Sequence, residues 1–157
     1  MQTLPRTPLR IRRWRTSDEA FISDLGARAF AEYDAHSAAT TLRLARLGST
    51  WLALRAAEPL GFAIVHSPNS HRAELCAIAV AEAARGSGVG AALLAEVERA
   101  LLREGTRSLH LHTAQANLSA MELFLKRGFR IEARLPRFYR GVFDACAMSK
   151  RLGQARG

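Results

Sequence analysis

The chain predicts a mixed α/β fold on three observations. Short β-prone runs such as Trp51–Arg55, Gly61–His66 and Arg72–Val80 are apolar, other segments carry apolar residues at spacings of four, and the two kinds interleave along the chain. With 157 residues, 48% of them apolar, there is room for one domain around one sizeable core. The expected organisation is a single domain over 1–157, with short tails at 1–8 and 153–157.

Taken in order, Leu9–Arg12 reads as a short strand. Thr16-Ser17-Asp18-Glu19 has the Thr-x-x-Glu spacing of a capping box, so a first helix is expected from near Ser17 to past Phe30. Ala38–Leu47 reads as a second helix that Gly48 ends. Between them lies a polar, irregular stretch with Tyr33, Asp34 and His36, a candidate substrate loop. Trp51–Arg55 and Gly61–His66 form a hairpin whose turn is expected at Ala57-Glu58-Pro59-Leu60. Arg72–Val80 is a longer strand with a continuously apolar second half, hence central. From Val89, the stripe Leu93, Val97 and Leu101 marks an amphipathic helix stopped by Gly105. Ser108–Thr113 alternates Leu109 and Leu111 with His110 and His112, the period of a strand. Asn117 can cap a helix over Leu118–Arg127, which Gly128 terminates. Arg130–Leu135 and Asp144–Leu152 are closing strands, joined by a loop with Arg137, Phe138, Tyr139 and Gly141.

No apolar run approaches the roughly 20 residues of a membrane helix, and Met1–Arg15 lacks the apolar middle of a secretory signal. A cytoplasmic protein with no membrane partner is expected. Cys76 and Cys146, the only cysteines, sit in apolar segments without a third ligand spaced for a metal, so both read as buried free thiols. A net charge of +9 favours anionic ligands, but the arginines are scattered from Arg6 to Arg156 and no basic stripe is interleaved with aromatics. Nucleic acid is therefore not the expected partner.

The sharpest feature is Arg85-Gly86-Ser87-Gly88-Val89-Gly90, between a buried strand and an amphipathic helix. Glycines there let main chain approach a ligand, and unpaired amides at a helix start attract a pyrophosphate; a ligand-free glycine turn is the plain alternative. Gly86-x-Gly88-x-x-Ala91 fits the dinucleotide fingerprint formally, but five residues separate it from Val80 and the next strand ends in His112 and Thr113 rather than an acid. No Gly-Lys-Ser/Thr occurs, which excludes a Walker phosphate loop.

Three segments in order, Ala73–Val80, Arg85–Gly90 and Asn117 with Leu123–Phe129, resemble the core of the GNAT superfamily of acetyl-CoA-dependent N-acetyltransferases over roughly half the chain. Arg137-Phe138-Tyr139 with Asp144-Ala145 is similar to the branch that acetylates protein N-termini, such as the ribosomal-protein alanine N-acetyltransferases. The resemblance implies a mostly antiparallel sheet of six to seven strands, flanked by about four helices and splayed at its two central strands. It further implies that the strand ending at Val80 bulges, that Ile78, Ala79 and Val80 hold the pantetheine arm of acetyl-CoA, and that Arg85, Gly86, Ser87, Gly88, Val89 and Gly90 hold the pyrophosphate. Asn117 would approach the cofactor too, a role compatible with capping.

Acetyl transfer to an amine needs a neutral nucleophile, stabilisation of a developing oxyanion and a proton for the thiolate. His112 is the favoured base, since imidazole titrates near neutrality and the resemblance places it five residues before Asn117, where N-terminal acetyltransferases carry Glu or His. A packed or solvent-facing strand histidine is the alternative. Glu74 is a second candidate base, and His110 shares the face of His112 as a spectator. Phe124 occupies a cofactor-side position where many relatives have a tyrosine assigned as general acid, and phenylalanine cannot donate a proton. Tyr139 is the candidate replacement, or else an aromatic lid over the acceptor, with Tyr33 and His36 among the acceptor contacts. The expected activity is N-acetyl transfer to a small amine, a peptide N-terminus or a lysine. A silent acyl-CoA-binding regulatory domain and a basic nucleic-acid or ribosome-binding module are the alternatives, and a homodimer is left open.

Overall fold

In the computed structural model of the chain, which describes residues 7–33 and 36–153, β1 (Leu9–Arg13) is followed by α1 (Glu19–Phe30), α2 (Ala38–Leu47), β2 (Ser49–Arg55), β3 (Glu58–His66) and β4 (Arg72–Val80). Then come α3 (Val89–Arg103), β5 (Ser108–Ala114), α4 (Leu118–Lys126), β6 (Arg130–Tyr139) and β7 (Phe143–Arg151). The strands form one seven-stranded sheet in the order β1-β2-β3-β4-β5-β7-β6. Every neighbouring pair is antiparallel except β4 and β5. Most of the tails expected at 1–8 and 153–157, and Asp34 and Ala35 of the expected loop, lie outside the described residues.

The sheet separates two apolar layers. On one face α3 buries Leu93, Leu94, Val97 and Leu101 against Trp51, Val65, Leu75, Leu109 and Met148, and Phe124 of α4 joins them. Each such side chain contributes about 1.5–3 kcal/mol of burial. On the other face α1 and α2 pack Ile22, Leu25 and Ala45 against Leu52, Phe62, Ile64, Ala77 and Ala79. Within β4 the odd-numbered residues are buried throughout, yet Ala73 and Leu75 face α3 whereas Ala77 and Ala79 face α1 and α2. The switch has a local cause. Leu75 pairs with Val65 and Ala77 with Ile64, so Cys76 is an extra residue, a β-bulge that rotates the rest of the strand by one face.

A buried carboxylate ties the α3 layer together. Glu98 accepts a 2.7 Å hydrogen bond from Arg127 Nη2, just past α4, and an ion pair from Lys150 of β7. Although Arg127 Nε is left without a partner, one anion joins three elements.

Four sequence expectations are corrected. The first helix begins at Glu19, after a single 3-10 turn at Thr16–Asp18. The capping group is Asp18, whose carboxylate accepts the Arg15 N–H at 2.7 Å and both guanidinium nitrogens of Arg12 at 2.8 and 3.1 Å. Glu19 instead pairs with Arg46 of α2 at 3.0 Å. The β2–β3 turn is Ala56-Ala57, with Ala56 at φ 54, and Glu58 and Pro59 already lie in β3 opposite Arg55 and Leu54. α4 ends at Lys126 rather than Arg127. Finally β6 runs through Pro136 to Tyr139, so Arg137, Phe138 and Tyr139 belong to a strand and not a loop. Proline is tolerated because β6 is the sheet edge, where a missing N–H breaks no ladder bond.

Burial acts to raise the Asp18 pKa, but hydrogen bonds from Arg12 and the Arg15 N–H outweigh it and hold the carboxyl below its ordinary value. A depressed carboxylate contributes stability that is present above its unfolded pKa and lost as pH falls through the folded one. Asp18→Ala is expected to destabilise the fold by roughly 2–3 kcal/mol at neutral pH, from the lost cap and the stranded Arg12. In melting curves taken across pH, the gap from wild type should close as the solution becomes more acid than the ordinary carboxylate range.

Candidate active site

Parallel pairing of β4 with β5 lasts only three residues, Arg72 with Ser108, Ala73 with Leu109 and Glu74 with His110. Beyond them β4 stays paired to β3, and β5 to β7, while the two part. Main-chain groups from Leu75 to Val80 that would bond β5 in a closed sheet have no strand partner there. Main-chain polar groups must be satisfied, so such a gap is a place for a ligand able to pair with a strand.

A cleft of about 940 Å³ occupies the gap. Cys76 to Val80 form one wall and Leu111 to Ala114 the other, with Arg85, Gly86, Gly88 and the start of α3 at one end. Gly86 and Gly88 have φ of 76 and 86, where an L side chain costs about 1–2 kcal/mol, and nothing lies within 4 Å of where a Cβ would stand. The loop is open and its backbone available. The N–H of Ala92 bonds the Gly88 carbonyl, which leaves the preceding amides of α3 without helical acceptors at the positive end of a 15-residue helix. A diphosphate fits that chemistry.

Most of the expected cofactor residues converge here. Ile78, Ala79, Val80, Arg85, Gly86, Gly88, Val89, Gly90, Asn117 and Phe124 all line the cleft. Ser87 does not; its hydroxyl donates to the Ala84 carbonyl and closes the turn. Asn117 caps α4, its Oδ1 accepting from the Ala120 N–H at 3.2 Å. Phe124 is buried and meets Phe129 edge to face at 5.6 Å, a core contact as well as a cleft wall.

Toward the other end of the cleft the structure sorts the candidates. His112 lines the cleft and is exposed, its ring 5.2 Å from that of Phe138. Tyr139 lines it too, half-buried, and burial pushes its hydroxyl up to about 12. Tyr33 meets Tyr139 at 6.0 Å and Phe143 at 5.2 Å, and burial, then Glu32, raises its pKa. Glu74 lies outside the cleft, at the end where β4 and β5 are still paired, beside Arg72 at 3.9 Å. His110 is there as well, 2.8 Å from the Ser108 hydroxyl, with burial and then Arg72 lowering its pKa.

His36 has a place that sequence reasoning missed. Its Nε2 donates to the carbonyl of the bulge residue Cys76 at 3.0 Å, and its ring meets Phe30 edge to face. The expected acceptor contact thus also braces the bulge. Cys76 itself lines the cleft, and burial, then Glu74, raises its thiol pKa. The resemblance implied a bulge in this strand and β4 has one at Cys76, but nothing local in the sequence marks His36 as its partner. Among the described residues no three His, Cys, Asp or Glu side chains are placed to hold a metal ion, and no helix is long and apolar enough to cross a membrane.

The family model for the acetyltransferase (GNAT) family matches residues 10–129. The chain belongs to that family. This acetyltransferase shares its fold with Ard1 from Thermoplasma volcanium, at 25% identity and a TM-score of 0.85 over 93% of this chain and 99% of that one. Two more solved structures show the same fold. The ribosomal-protein-S18-alanine N-acetyltransferase from Escherichia coli matches at 21% identity and TM-score 0.73, over 95% of this chain and 97% of its own. The acetyltransferase yncA from Salmonella typhimurium, solved with its cofactor acetyl-CoA, matches at 18% and 0.80, over 95% and 96%. A search of curated protein sequences finds no match. The expected splayed, mostly antiparallel sheet is therefore this acetyltransferase's fold, and acetyl-CoA is its acyl donor.

Gly88→Ala is expected to weaken acetyl-CoA binding about tenfold by calorimetry, since the left-handed backbone is strained by any Cβ. Cys76→Ala should keep turnover within about twofold of wild type, because a thiol held protonated by burial is a poor nucleophile. A loss of more than tenfold would mean that the acyl group passes through this sulfur.

Proposed function

We propose that this acetyltransferase moves the acetyl group directly to a primary amine in a ternary complex, as one N-acetyltransferase domain spanning 1–157. The acceptor is a small amine, a peptide N-terminus or a lysine. The supporting observation is that a candidate base and a candidate acid, His112 and Tyr139, line the same open wedge between β4 and β5.

Bound acetyl-CoA supplies an activated acyl carbon and a thiolate leaving group. In this reading the main-chain groups of Ile78, Ala79 and Val80 orient the pantetheine arm and oppose the charge that develops on the acyl oxygen. Amides from Gly86 to Gly90, with Arg85, hold the diphosphate. His112 accepts the proton of the incoming ammonium, so that the nitrogen attacks as a free amine. Tyr139, protonated throughout the physiological range, gives its proton to the sulfur as the C–S bond breaks and the C–N bond forms. It thereby supplies the hydroxyl that Phe124 lacks. Glu74 has no part, being held at the closed end of the strand pair. Tyr33 and Tyr139 line the cleft and give the acceptor an aromatic surface, with Phe143 packed on Tyr33. Cys76 and Cys146 are unpaired thiols, which suits a reducing cytoplasm.

Phe124 supports a second reading, an acyl-CoA-binding domain without turnover. Thiol release against a panel of amines and peptides separates the two, since a silent domain binds acetyl-CoA and releases nothing. On the favoured reading His112→Ala lowers kcat by roughly 10²–10³-fold at unchanged acetyl-CoA affinity. Tyr139→Phe lowers it about 10–100-fold. Because the Tyr139 acid is depleted only near 12, wild-type kcat should show no descending limb around the ordinary tyrosine value of 10.0. A kcat left unchanged by Tyr139→Phe would contradict the assignment, whereas a limb there that vanishes in the variant would keep Tyr139 as the acid with an ordinary pKa.

A further inference from the structure

In a regular strand, adjacent side chains point to opposite faces. Phe138 and Tyr139 break that rule. Phe138 lies over His112 at 5.2 Å, Tyr139 reaches Tyr33 and lines the cleft, and the two rings meet edge to face at 4.9 Å. The cause lies one residue earlier. Leu135 pairs with Ala145 and the next paired residue is Tyr139, opposite Phe143, so the β6–β7 register slips between them. Within the slip Arg137 has φ 55, the left-handed region that an arginine does not favour. Pro136 fixes the backbone just before it.

One contact holds that conformation. The Arg137 N–H donates to Asp144 Oδ1 at 2.9 Å, reaching across from β6 to the second residue of β7. The Asp144 carbonyl accepts the N–H of Gln115, just past the end of β5. Asp144 therefore connects the slipped edge strand to the strand that carries His112. Its side chain is exposed and its hydrogen bond is to Arg137 rather than to His112 or Tyr139, so its effect on them is indirect.

We propose that Asp144 is a positioning residue, whose carboxylate locks Arg137 in its left-handed conformation and so turns Phe138 onto His112 and Tyr139 into the cleft together. The proposal rests on the reading of His112 and Tyr139 as base and acid. It adds that one hydrogen bond sets the geometry of both, and that an aromatic ring on the base and a hydroxyl for the acid come from consecutive residues of one distorted strand.

The lock is tested by Asp144→Ala, Asp144→Asn, Arg137→Gly and the Arg137→Gly/Asp144→Ala pair. Two readouts are used, kcat with KM for acceptor and donor, and the ring-current shift that Phe138 imposes on the His112 ring protons in NMR spectra. Asp144→Ala is expected to lose the ring-current shift and to lower kcat tenfold or more, with acetyl-CoA affinity unchanged. Asp144→Asn, whose side-chain oxygen still accepts an N–H, should retain both. Glycine takes a positive φ freely, so the double variant should recover most of the shift and the rate, and Arg137→Gly alone should match wild type within about threefold. An unchanged His112 signal in Asp144→Ala overturns the proposal. So does a double variant as impaired as the single one, or an Asp144→Asn as impaired as Asp144→Ala. If the signal moves as expected while kcat does not, the lock stands and the catalytic reading of His112 and Tyr139 is what fails.

Discussion

Three residue pairs decide what this molecule can do. Where β4 and β5 run together, at Arg72–Glu74 and Ser108–His110, the sheet is ordinary; one step further it opens. The opening is held, because each separating strand keeps its other neighbour, β3 on one side and β7 on the other. It leaves main-chain groups facing a cleft, a costly arrangement in an empty interior and a useful one for a ligand with amides of its own. The pantetheine arm of acetyl-CoA is such a ligand. Bulge, glycine loop, helix terminus and aromatic cluster are all arranged around that gap.

Rigid supports surround it. Glu98 joins α3, the end of α4 and β7, so the helix whose first turn lines the cleft is tied to the strand beside β5. On the far face Asp18 collects Arg12 and the Arg15 main chain, and fixes the start of α1. From the end of that helix the chain passes Tyr33 and reaches His36, which holds the carbonyl of Cys76. The segment after α1 and the bulge of β4 are therefore joined through one hydrogen bond.

Much of the fold was legible because local chemistry and tertiary context agree. α2 and β4 have the bounds that their apolar patterns imply, and Arg85–Gly88 leads from β4 into α3, whose first turn takes Val89 and Gly90. The failures share one cause, contacts made across the sheet. The bulge in β4 was implied by resemblance alone, and its place at Cys76 is set by β3, which has no residue to match it. Pro136, Arg137 and Phe138 read as a loop, but an edge strand tolerates proline and a left-handed arginine when a neighbouring carboxylate takes the freed N–H. Glu98 stands at helical spacing from the buried Leu94 and Leu101, and only Arg127 and Lys150, distant in sequence, explain its burial. Of the cleft, the glycine loop was legible from its motif, and Tyr33, His36, His112 and Tyr139, singled out in the sequence, also line it. The packing of Tyr33 on Tyr139 and Phe143 was not legible, since those rings come from separate segments.

Amide hydrogen exchange with and without acetyl-CoA reaches the central claim most directly. If the unpaired stretch of β4 and the first turn of α3 grip the donor, slowed exchange will be confined to residues 75–80 and 86–91, with β1 and β2 unchanged. Binding that slows neither stretch, or that protects the β1–β2 side of the sheet instead, would contradict the account.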